Sequence, residues 1–227
     1  MFEVILDTWS RGGIVLVPIF LAGFWGFFLV FQTYGRVGRN TSRTDLIPAF
    51  EDLGRRLEAG DEEGAHRIAG TFPGVVGEGV RLFLENRALP EKSLRRLLEE
   101  KLAYRLFMME KHIPLIKSLA AAAPLLGLLG TVSGLIHTFR TMGEYGSSNA
   151  QLLSRGISEA LIAAQTGLLV AIILILLGHR LEGRLQWLKD QTEYGMALLL
   201  NVSARMRAQR ADAAQTAWPA TAGGSRP

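Results

Sequence analysis

The chain has 227 residues, of which 48% are hydrophobic and 20% charged, with a formal net charge of +4. It contains no cysteine, which excludes disulfides and thiolate metal sites. Its four histidines (His66, His112, His137 and His179) are scattered, so no metal site is expected. There is no nucleotide-binding loop and no Ser/His/Asp or Cys/His framework, so neither an enzyme nor a cofactor is expected.

Apolar and charged residues barely mix along the sequence. Three stretches carry no Asp, Glu, Lys or Arg: Gly12 to Gly35 (24 residues), Ser118 to Phe139 (22) and Ala160 to Gly178 (19). A helix needs about 20 apolar residues to cross the hydrocarbon core of a bilayer. The expected fold is therefore all-α, an integral membrane protein with three transmembrane helices. Spans are expected at 12–35, 118–139 and 159–179. The first stretch is too long for a secretion signal, and Glu3 and Asp7 stand where a basic leader is required, so it reads as a retained anchor.

Basic residues set the expected orientation. Arg36, Arg39, Arg43 and Arg55 follow span one, and Lys101, Arg105, Lys111 and Lys117 precede span two. Arg180, Arg184 and Lys189 follow span three, whereas the opposite side offers only Arg11, Arg140 and Arg155. The N-terminus is expected outside, with 36–117 and the C-terminal part in the cytoplasm. This excess also explains the basic pI of about 9.7 without nucleic acid.

Taken in chain order, residues 1–11 read as an interfacial amphipathic helix, with Phe2, Ile5, Leu6 and Trp9 on one face. Segment 36–117 reads as a cytoplasmic helical domain. Its helices are expected over Asp45 to Ala59, ended by Gly60; over Asp61 to Ala69, with Asp61 as N-cap; and over Val75 to Arg87 after the Phe72-Pro73-Gly74 turn. A long helix opens at Pro90-Glu91, and Leu94, Leu98, Leu102, Leu106, Met109 and Ile113 form one stripe. Pro114 is expected to kink it on the way into span two. Residues 140–158 read as a periplasmic loop and the start of the third span's helix. Residues 180–210 read as a cytoplasmic helix carrying Leu181, Leu185, Leu188, Leu199, Val202 and Met206 on one stripe. Spans two and three thus extend into a cytoplasmic bundle, and 211–227, rich in Ala, Thr, Gly and Ser, is expected to be disordered.

Within span two, Ala123, Gly127, Gly130, Thr131, Gly134 and Thr138 share a small, lightly hydroxylated face. Close helix packing explains the glycines fully; a pore explains the threonines as well. In span three, Gly156, Ala160, Ala163, Gly167, Ala171 and Gly178 form a small stripe, overlapped by a row of Glu159, Ala163 and Thr166. An acid at a span edge faces a bundle interior or water, or else pairs with a neighbour, here Arg155 one turn away. Both readings stand. A proton path through these helices lacks a second titratable group, which a partner would have to supply.

The run Ala123-Pro124-Leu125-Leu126-Gly127-Leu128-Leu129-Gly130-Thr131-Val132, with Gly134 and Phe139, resembles the second-span motif of the MotA/TolQ/ExbB proton-channel family. Gly156-Ile157-Ser158-Glu159-Ala160-Leu161, with Gly167-Leu168 and Val170-Ala171-Ile172, is similar to its third-span motif. Three spans match the ExbB/TolQ branch better than the four-span MotA branch. The resemblance implies a homopentamer around a dimer of ExbD- or TolR-like single-span subunits, whose aspartate carries the proton and which drive a TonB- or TolA-like protein at the bacterial inner membrane. It implies a pore lined from Gly127, Thr131, Gly134, Thr138, Glu159, Ala163, Ala164 and Thr166, with Thr131 and Glu159 matching the family's pore threonine and glutamate. Ala164 stands where the family's third-span pore threonine is expected, and Ile173 where proline is common. Thr166 or Gln165 is the expected replacement for the missing hydroxyl. A purely structural membrane scaffold is the alternative.

Overall fold

The computed structural model describes residues 16–40, 45–145 and 150–216. Among them every regular element is a helix: α1 (Leu16–Asn40), α2 (Ile47–Glu58), α3 (Glu62–Ala69), α4 (Gly74–Asn86), α5 (Glu91–Glu110), α6 (Ile113–Tyr145) and α7 (Ala150–Thr216). Three helical stretches, containing α1, α6 and α7, are long and apolar enough to cross a membrane. The expected amphipathic helix at 1–11 lies outside the described residues.

The chain divides into two units, one formed by Met1–Val37 with Met109–Arg184, the other by Gly38–Met108 with Leu185–Pro227. In the first, α1, α6 and α7 share two small apolar clusters. One joins Leu29, Val30, Ile116, Ala120, Leu174 and Leu181. The other joins Leu16, Ile19 and Ala163, with Phe20, Leu126, Ile162 and Val170 packed around it. Outward from these, Phe24, Phe31, Leu125, Leu128, Leu161, Leu168 and Ile172 are exposed. A surface this apolar suits a hydrocarbon solvent rather than water.

The second unit packs large side chains. The rings of Phe50 and Phe72 meet at a tilt of 45° with centroids 4.6 Å apart, and Phe50, Leu53, Leu94, Leu98, Leu185 and Leu188 are fully buried. The local punctuation follows from residue chemistry. Gly60, at φ 76°, supplies the left-handed residue that ends α2. The Asp61 carboxylate then accepts the Gly64 N–H at 2.9 Å and caps α3. That bond, with the Arg56 guanidinium, holds the Asp61 carboxyl below its usual range.

Two boundaries differ from the sequence-based expectation. α5 stops at Glu110 and α6 starts afresh at Ile113, a break rather than a kink. Pro114 has no N–H to offer the Glu110 carbonyl, and its ring crowds that carbonyl. At the far end α7 runs on to Thr216, past the point where the tail was expected to lose structure. Ala211, Ala213 and Ala214 there are strong helix formers. Between α6 and α7 only 146–149 fall outside a described helix, so most of 140–158 is helical.

Candidate functional site

The face of α6 that carries small residues lies against α7. A Cβ added at Gly127 would sit 3.1 Å from both the Ala163 carbonyl oxygen and the Ala164 Cα. At Gly167 it would meet the Ala123 carbonyl oxygen at 2.6 Å and the Gly127 Cα at 3.0 Å. At Gly134 it would meet the Ala160 Cβ at 2.8 Å, and at Gly156 the Thr138 hydroxyl. The seam is thus built from backbone against backbone, which only glycine and alanine permit. Inside α6, Pro124 leaves the Ala120 carbonyl without its usual helical donor.

Around this seam the eight expected pore residues fall into three groups. Gly127, Gly134 and Thr138 belong to the seam itself; Thr138 is buried and donates to the Gly134 carbonyl at 2.8 Å. Ala163 is buried too, within the cluster that includes Leu16 and Ile19 of α1.

Glu159 and Thr166 lie on the flank of α7 that meets α1. At about 100° per residue, Glu159, Thr166, Val170 and Ala163 fall within an arc of about 60°. Ala163 touches α1, and a Cβ on Gly23 of α1 would approach Val170 at 3.2 Å. Glu159 is half-buried, and among the described residues it forms no ion pair with Arg155. The Thr166 hydroxyl donates to its own helix, to the Ile162 carbonyl at 2.8 Å.

Thr131 and Ala164 lie on the opposite flank. On α6, Leu119 and Leu126 pack against the clusters that include α1 residues, and Thr131 is about 140° away from Leu126. On α7, Ala164 is about 100° from Ala163 and points the same way as Glu182, roughly five turns further on. An ion pair ties these two flanks together: Lys117 Nζ lies 2.6 Å from the Glu182 carboxylate, and Lys117 is within about 40° of Thr131 around α6. The hydrogen bond from Lys117 holds the Glu182 carboxyl below its usual range. The half-exposed Thr131 donates to the Leu128 carbonyl at 2.7 Å.

One side of the α6–α7 seam therefore presents Thr131, the small Ala164 one turn away at the level of Gly127, and the Lys117–Glu182 pair at its end. Thr166 lies on the other side of the seam from Ala164. Sequence periodicity alone missed Lys117 and Glu182; their signal is the phase each shares with Thr131 and Ala164.

Comparison with known proteins agrees with this architecture. Residues 74–194, from α4 to the middle of α7, match the model of the MotA/TolQ/ExbB proton channel family. The chain is 26% identical over 209 residues to an ExbB homolog of Methanothermobacter thermautotrophicus described as a biopolymer transport protein, covering 87% of this chain and 72% of that one. It is 30% identical to a biopolymer transport protein ExbB-like 1 of Synechocystis, over 76% of this chain and 68% of the relative. It is likewise 30% identical to the Tol-Pal system protein TolQ of Haemophilus influenzae, over 68% and 66%. With its three long apolar helices, this chain belongs to the MotA/TolQ/ExbB proton channel family, as a multi-pass membrane protein of the ExbB/TolQ type.

Proposed function

We propose that this chain is the channel-forming subunit of a proton-motive-force-driven motor of the inner membrane, with a periplasmic N-terminus and a cytoplasmic C-terminus. It works with an ExbD- or TolR-like single-span partner, as a homopentamer around a dimer of that partner, to energise a TonB- or TolA-like protein. The observation that carries this is the flank bearing Thr131 and Ala164. Neither residue belongs to the clusters shared with α1, and the flank holds one hydroxyl in a surface that is apolar up to the Lys117–Glu182 pair at its end. The partner's aspartate supplies the titratable group that this surface lacks at the level of Thr131. Glu159 and Thr131 sit on opposite flanks of one chain, so a proton path that uses both takes them from different copies, which fits a ring.

Thr131→Val tests this reading. The complex is expected to assemble normally while proton flux in proteoliposomes falls about tenfold, the rate equivalent of one lost polar contact. The scaffold reading is favoured by one observation, that the seam glycines are consumed by packing within the chain. It predicts that Thr131→Val changes neither assembly nor flux, because the hydroxyl bonds only its own helix. Unchanged flux in a fully assembled Thr131→Val complex would rule out the channel role for this flank.

A further inference from the structure

We infer that the second unit contains a binding site for a small phosphate-type oxyanion, built from Arg87, Arg207 and Arg210. These three arginines line a pocket of about 230 Å³, together with Ser203 and an apolar floor that includes Phe83 and Val202. Among the described residues lining it there is no carboxylate. Three guanidinium groups sharing one concavity repel one another; Glu62, outside the lining, bonds Arg87 and attracts Arg210, which still leaves an excess of positive charge beside an apolar floor. Such an arrangement is stabilised by an anion that accepts several N–H bonds at once, and guanidinium forks match phosphate geometry.

The hydrogen-bond inventory points the same way. Arg87 spends Nη2 on Glu62 at 2.6 Å, but its Nη1 is buried with no hydrogen-bond partner. A buried charged donor left unpaired is costly unless something else accepts from it. Arg207 donates Nη2 to the Arg87 carbonyl at 3.0 Å, a favourable cation at the carboxyl end of α4. That cap accounts for one nitrogen of Arg207. It accounts for neither Arg210 nor the orphaned Arg87 nitrogen. By contrast Arg205, two residues before Arg207, is paired with Glu58 at 3.7 Å and does not line the pocket.

The anion is either a free phosphate compound or a phosphate headgroup of an anionic lipid, and the experiment separates the two. Thermal unfolding of the full chain in neutral detergent is followed against inorganic phosphate, with chloride at matched ionic strength as reference. A parallel series uses phosphatidylcholine nanodiscs with and without phosphatidylglycerol. Saturable stabilisation by phosphate in detergent supports a soluble ligand; stabilisation by phosphatidylglycerol alone supports a headgroup. In either case Arg207→Gln/Arg210→Gln is expected to weaken the response about tenfold, and Arg205→Gln to leave it unchanged. If the double variant fails to fold, Arg210→Gln alone, which leaves the Arg207 cap in place, is expected to weaken it severalfold. No saturable response to either anion, or an equal response in the Arg210 variants, overturns the site.

Discussion

The α6–α7 seam of the first unit and the helices of the second unit pack by contrasting means. Where α6 meets α7, the contact is backbone on backbone through Gly127, Gly134 and Gly167, and the large side chains face outward. In the other unit the glycines where one helix approaches another face rings and side-chain ends: a Cβ at Gly195 would run into the Phe50 ring, and one at Gly79 would meet Leu102 and Met196 at 3.0 Å. Water explains the second design, since burying Phe50 or Leu188 there gains the full hydrophobic contribution. In hydrocarbon a leucine gains nothing by moving from lipid to protein, so packing relies on close dispersion contact between small residues.

This contrast can be broken in graded steps, all read by unfolding in detergent. Leu188→Ala, at a fully buried position of the second unit, is expected to cost about 2–5 kcal/mol, and Leu128→Ala, exposed on α6, within about 0.5 kcal/mol. Equal losses from both would mean that the two surfaces do not differ as described. Gly167→Ala and Gly195→Ala are each expected to cost about 1–3 kcal/mol by overpacking. The obstacle at Gly195 is a ring, so adding Phe50→Leu should restore much of the loss. The obstacle at Gly167 is the Ala123 carbonyl, and no side-chain change at Ala123 should rescue it.

The smallest effect is electrostatic. Lys117 lowers the Glu182 carboxyl's pKa in the folded state, so the pair's stabilisation is present above the ordinary carboxylate pKa and is lost as pH falls through the lowered folded value. Both side chains are nearly half exposed, which keeps the contribution under about 1 kcal/mol. Lys117→Met should flatten this part of the acid limb by removing up to about 1 kcal/mol of stability at neutral pH and none below the folded pKa; an unchanged acid limb would show that the pair does not form in solution.

Much of this was legible in the sequence. Charge-free stretches of sufficient length marked the spans, and the stripe from Leu94 to Ile113 is buried at every position. Gly60 and Asp61 punctuate α2 and α3 at the expected places. What could not be read was which neighbour covers each face. Helical spacing puts Glu159 and Thr166 together, and Thr131 with the seam, but it carries no information about where α1 lies. That depends on long-range contacts such as Gly23 with Val170, which no local pattern encodes. The pocket of Arg87, Arg207 and Arg210 was hidden for the same reason, since Arg87 is far in sequence from the other two.

The glycine seam also decides where this molecule is compliant. Side chains give way by changing rotamer, and an interface that depends on side chains has many such soft coordinates. Between α6 and α7 the opposing atoms are largely carbonyl oxygens and α-carbons, which have no rotamers to change, so that pair is stiff and behaves as one strut. Rearrangement is left to the outer surfaces, where Leu125, Leu128, Leu161 and Leu168 are exposed and can slide against whatever adjoins them.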